Sequence, residues 1–167
     1  MFLLVVLTSL LCTAFAQLHN ECHSNAQLLR EEEVVALVAD IIDRNQDNII
    51  TVGEIVVGFG EILDYRFQTS EALIEHMTLE QLIALAAQYG IIIDKEHFVQ
   101  KWHERFGDSQ AFIRATFSAY DNNKDDKLSI LELEGIVLHA LMTVDNGDRI
   151  LSAKEFRDYL LYVYKNC

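Results

Sequence analysis

Two stretches of the chain set oxygen-bearing residues at alternate positions and close them with a glutamate. The first is a twelve-residue span holding Asp43, Asn45, Asp47, Ile49, Thr51 and Glu54. The second is a span of equal length holding Asp121, Asn123, Asp125, Lys127, Ser129 and Glu132. In both, positions 1, 3, 5, 9 and 12 carry a side-chain oxygen, and the final Glu can offer two. At position 7, Ile49 and Lys127 would contribute backbone carbonyls, which leaves their side chains free to vary. Thr51 and Ser129 would act at position 9, through a water in many such sites. This donor set suits a hard cation. Calcium takes six to eight oxygens at about 2.3–2.6 Å, and short carboxylates and amides at alternate positions let a tight loop wrap it.

The flanking sequence agrees with the loops. Ile50 and Leu128 at position 8 are apolar and can plug a core behind each loop. Thr51 with Glu54, and Ser129 with Glu132, read as capping boxes, so position 9 opens the exiting helix. Ile113, Phe117 and Tyr120 form an apolar stripe before the second loop; Leu133, Ile136, Val137 and Ala140 continue it afterwards.

With these motifs the sequence resembles the EF-hand family. The likeness covers most of the chain beyond residue 16 and is strongest at 43–54 and 121–132. It implies an all-α fold of helix-loop-helix repeats, with about seven to eight helices in one compact domain or two small lobes, and Ca2+ as the bound ion. Both loops depart from the family pattern at position 6, where Asn48 and Asp126 replace the usual glycine. That position needs positive φ, which Asn and Asp tolerate better than most residues. The loops are expected to fold with some loss of affinity.

Two weaker loops accompany these. Asn146, Asp148, Ser152 and Glu155 fit positions 3, 5, 9 and 12 of a span beginning at Val144. Val144 offers no oxygen and Asp145 is displaced by one, so either the ion loses a ligand or the loop is one residue short. Arg149 at position 6 adds a positive charge. The alternative is a helix-loop-helix that only supports its neighbour. Eleven residues separate Glu132 from Val144, so one helix must leave one loop and enter the next. The stretch Ile93 to Phe98 has the apolar residue, the capping acid and the aromatic of an exiting helix, but almost no ligands precede it. It is expected to be a degenerate hand packed beside the first loop. This divides the chain into a pair over 31–106 and a pair over 107–167.

Apolar residues recur at helical spacing, and the chain has no proline. Helices are predicted over Glu31–Ile42, Val52–Tyr65, Ser70–Met77, Thr78–Tyr89, Lys95–Phe106, Ser109–Tyr120, Leu131–Thr143 and Ala153–Tyr164. Trp102, Phe98 and Phe106 share one helical face, as core residues would. Residues 1–16 carry no charged side chain, are mostly apolar and end in Ala14-Phe15-Ala16, which reads as a removable signal peptide, followed by a polar arm over 17–30. The expected protein is therefore secreted, with no membrane span after processing. Cys22 and Cys167 would remain, as a disulfide, as links between chains or as free thiols.

The formal net charge of −13 and the lack of a basic block argue against nucleic acid, whose phosphates call for Lys and Arg. The six histidines show no paired zinc spacing, and no nucleophile elbow, phosphate loop or CxxC occurs. Calcium ions are the expected ligand, with an extracellular matrix or a protein as the expected partner. Only Met77 and Met142 remain beyond the signal, unlike the Met-rich grooves of calmodulin-like sensors. The expected role is structural or buffering rather than enzymatic.

Overall fold

The computed structural model describes residues 29–67 and 70–166. The expected signal peptide, most of the expected polar arm, Cys22 and Cys167 lie outside them. Helices form where the apolar periodicity places them: α1 Glu31–Ile42, α2 Val52–Ile62, α3 Glu71–Ile74, α4 Leu79–Tyr89, α5 Lys95–Phe106, α6 Gln110–Tyr120, α7 Ile130–Val144 and α8 Ala153–Lys165. Two short strands, β1 Ile93–Asp94 and β2 Lys127–Leu128, precede α5 and α7. The fold is all-α. Thr78 and Gln81 form the reciprocal cap expected at the head of α4. α2 and α3 are shorter than their periodicity, because Asp64 takes a left-handed φ of 58° just past α2 and only one turn forms before Met77.

One apolar cluster joins all the helices, from Val34 to Tyr164. Phe98, Trp102 and Phe106 are buried in it as their spacing requires. Asp108 is fully buried there, accepting from Trp102 Nε1 at 2.8 Å and from the Tyr164 hydroxyl. That carboxylate pins the last turn of α8 to the α5–α6 corner. On α2, two glycines permit close approach. A Cβ on Gly53 would stand 2.4 Å from the Ile74 carbonyl oxygen, and one on Gly58 would stand 2.4 Å from Ile42 Cδ1.

The loops pair differently from the sequence expectation. β1 of the degenerate hand runs antiparallel to β2 of the Asp121 loop, in the register Ile93 to Leu128 and Asp94 to Lys127. The Asp43 loop instead bridges the Val144 loop, Ile49 opposite Ser152. There the Ile50 N–H donates to the Leu151 carbonyl at 2.7 Å, and the Ala153 N–H to the Asn48 carbonyl at 3.2 Å. The degenerate hand thus does not sit beside the first loop, and the halves 31–106 and 107–167 are not self-contained pairs. The cause is α7. Its fifteen residues connect the Asp121 and Val144 loops directly. At 1.5 Å per residue it holds them about 22 Å apart, whereas bridged strands lie about 4.8 Å apart. Each of these loops must find its partner elsewhere. α1 accordingly packs on α8 and α2 on α7, so the two halves of the chain interleave.

Tyr120, His139 and Tyr159 form a hydrogen-bonded group between α6, α7 and α8, with His139 Nδ1 2.8 Å from the Tyr159 hydroxyl. Burial pushes the Tyr120 hydroxyl up to about 12 and holds the His139 imidazole below its ordinary value. A lowered histidine disfavours its charged form in the folded state, so the unfolded chain binds the proton first. Stability is then lost as pH falls through the unfolded value of about 6.5. His139→Gln is expected to flatten this part of the profile. The check is the denaturation midpoint of both proteins between pH 8 and pH 5.

Candidate metal centre

α1 ends at Asp43 and α2 begins after Thr51, so the first loop is held between two helix ends. Its turns are built by its own side chains. Asn45 Oδ1 accepts the Asp47 N–H at 2.8 Å, and Asp47 Oδ1 accepts the Ile49 N–H at 2.9 Å. Glu54 is 1% exposed. Its Oε2 accepts the N–H of Thr51 at 2.9 Å and the Thr51 hydroxyl at 3.1 Å. Its Oε1 has no hydrogen-bond partner, and neither does the buried Oδ1 of Asp43. Carboxylate oxygens of Asp43, Asp47 and Glu54 all lie within 4.8 Å of one another. Burial raises the Glu54 carboxyl above its usual range. The Thr51 bonds oppose the shift, and the charges of Asp47 and Asp43 add to it.

Buried oxygens without donors are costly, and three converging carboxylates repel. A cation among them removes both penalties. The donors here are all oxygen, which fits calcium better than softer metals. The residues of the first loop therefore fit a hard cation bound through oxygen.

The second loop has the same turns but a different end. Asn123 Oδ1 accepts the Asp125 N–H at 3.0 Å, and Asp125 Oδ1 accepts the Lys127 N–H at 3.0 Å. Asp121 accepts the N–H groups of Asp125 at 3.2 Å and Asp126 at 3.0 Å. Glu132 Oε2 is held by Ser129 through its N–H at 2.9 Å and its hydroxyl at 2.8 Å. Unlike its counterpart in the first loop, Glu132 Oε1 is also held, by the N–H of Asn122 at 2.9 Å and that of Asn123 at 3.5 Å. Burial alone would raise this carboxyl, but the bonds from Ser129, Asn122 and Asn123 outweigh it and hold it below its usual range.

In the third loop, α7 runs one residue further, through Val144, and Asp145 takes the helix-end place that Asp43 and Asp121 hold. Asp145 Oδ1 accepts the Arg149 N–H at 3.2 Å, as Asp121 does from Asp126. From Asn146 onward the register is unchanged. Asn146 Oδ1 accepts from Asp148, and Glu155 accepts from Asn146 and from both groups of Ser152. The loop is thus of the one-residue-short kind. In the degenerate hand only Gly90 to Asp94 separate α4 from α5. Its capping Asp94 is occupied by the N–H groups of Glu96 and His97.

Position 6 is left-handed in all three longer loops, with φ 65° at Asn48, 60° at Asp126 and 63° at Arg149. Position 4 is left-handed as well, at Gln46, Lys124 and Gly147. Ligand spacing alone does not mark that second turn. Its one signal in the sequence is Gly147, which stands at position 4 and not at the position 6 where a glycine is usual.

The two intact loops should answer loss of the last carboxylate in opposite ways without calcium. Glu54→Gln places an amide beside the unpaired Asp43 oxygen, and is expected to raise cation-free stability by roughly 1 kcal/mol. Glu132→Gln sets an amide against the Asn122 and Asn123 N–H groups, and is expected to cost about 1–3 kcal/mol. Urea denaturation in a calcium chelator measures both.

No protein family, curated protein or solved structure matches this chain.

Proposed function

We propose that the protein binds Ca2+ through the Asp43–Glu54 and Asp121–Glu132 loops, as a secreted, non-enzymatic protein with a structural or buffering role outside the cell. The observation that carries this reading is the pair of buried, unpartnered oxygens, Asp43 Oδ1 and Glu54 Oε1, on two of the three residues, Asp43, Asp47 and Glu54, whose carboxylates converge. The ion supplies charge neutralisation; the chain supplies the turns, the position-12 glutamates and the helices they cap. Secretion rests on residues 1–16, and the surplus of acidic over basic residues suits an ion-rich setting such as a mineral or extracellular matrix. Secreted modules work at affinities of about 10⁻⁴–10⁻³ M, so a left-handed Asn or Asp at position 6 is compatible with the role. At a hundred times Kd, each filled site adds about 2.7 kcal/mol of stability. Calorimetric titration of the mature chain should show two sites. Glu54→Gln and Glu132→Gln should each remove one, and an unchanged titration in both variants would overturn the reading.

One observation favours a second reading, a calcium-dependent protein-binding module. Leu131, Leu138 and Met142 share the solvent side of α7, with Met142 86% exposed. Such a module would be retained on a phenyl resin in calcium and released by chelator; equal retention under both conditions removes this reading.

A further inference from the structure

The two intact loops are electrically alike in sequence. The first carries three carboxylates and one arginine, the second four carboxylates and two lysines, so each has a formal charge of −2. The tertiary structure separates them in two ways.

The first difference lies in the position-12 glutamate. Glu54 presents an oxygen that no donor holds, close to the carboxylates of Asp43 and Asp47. Glu132 has both oxygens engaged, one of them by the loop's own Asn122 and Asn123 N–H groups. A cation entering the second loop must compete with those bonds. One entering the first loop meets an oxygen already free.

The second difference comes from the partner loops. The degenerate hand sets Lys95 against the second loop. Its N–H donates to the Asp126 carbonyl at 3.0 Å, and its Nζ pairs with Asp126 Oδ1 at 2.8 Å. This places a fixed positive charge on the rim of the second loop from outside it. The basic residue of the first loop is offset: Arg44 pairs with Glu71 at 2.6 Å and also faces Glu61 at 3.7 Å and Glu75 at 4.0 Å.

Building on the proposed calcium function, we infer that the loops load in a fixed order, Asp43–Glu54 before Asp121–Glu132, with Glu132 as a self-latched ligand and Lys95 as a residue that lowers the affinity of the second loop. The difference in affinity is expected to be about tenfold, the weight of one hydrogen bond to a charged group. The degenerate hand then has a role despite lacking a site: it tunes the neighbouring one.

Calcium titration followed by 15N NMR on the unaltered mature chain tests the order without any substitution. The Asn48 N–H of the first loop should shift and saturate before the Asp126 N–H of the second. Calorimetry adds the variants. Glu54→Gln should abolish the tighter step and Glu132→Gln the weaker one. Lys95→Gln should tighten only the weaker step, by up to about fivefold. Asp126 shifting first, or both amides moving together, overturns the order, and no change in Lys95→Gln overturns the role of Lys95. If neither amide responds to calcium, the proposed function itself falls; a response in the wrong order leaves that function standing.

Discussion

α7 is fifteen residues long and carries a polar loop at each end. A rigid helix keeps those loops about 22 Å apart, too far to share a backbone bridge. Yet each loop has backbone groups at its centre that need a partner. The Asp121 loop meets the strand of the degenerate hand, and the Val144 loop meets the Asp43 loop. α1 is thereby brought onto α8, and α2 onto α7. A single core replaces two lobes because the two bridged pairs draw helices from both halves of the chain. Close contacts at Gly53 and Gly58 let α2 sit against the end of α3 and against α1, where any side chain would intrude on neighbouring atoms.

The same pairing gives the two intact loops different surroundings. Each faces a weaker partner, but the partners are not equivalent. The Val144 loop reproduces the backbone turns of the first loop, left-handed at positions 4 and 6, and differs by letting its entering helix run one residue longer. The degenerate hand has only five residues between its helices, and what it brings to the bridge is Lys95. Within the loops, the balance between desolvation and hydrogen bonding then decides the state of each glutamate. Glu54 is raised because its burial is only half compensated, with one oxygen unpaired; Glu132 is lowered because both its oxygens find donors. Nearly identical loop sequences thus end in different electrostatic states.

Much of this was legible in the residues. Apolar spacing located the helices, because a stripe at 3.6-residue period has to face a core. Thr51 with Glu54, Thr78 with Gln81 and Ser129 with Glu132 marked helix starts, because those side chains satisfy backbone N–H groups within one turn. The oxygen-bearing residues of both loops were local facts too, but among the described residues carboxylates converge only at Asp43, Asp47 and Glu54. The left-handed turn at position 4 escaped because Gln46 and Lys124 carry no mark of it in their chemistry.

What the residues alone determined is therefore whatever lies within about a dozen positions along the chain: helices, caps and which oxygen-bearing residues each loop carries. Which loop lies beside which was decided by tertiary structure, since only the length of α7, acting across the whole molecule, forbids the pairing that sequence order would favour. The unpaired oxygens of Asp43 and Glu54, and the lysine of one hand resting on the loop of another, belong to that second level. They depend on burial and on approach between distant segments, which no local spacing encodes.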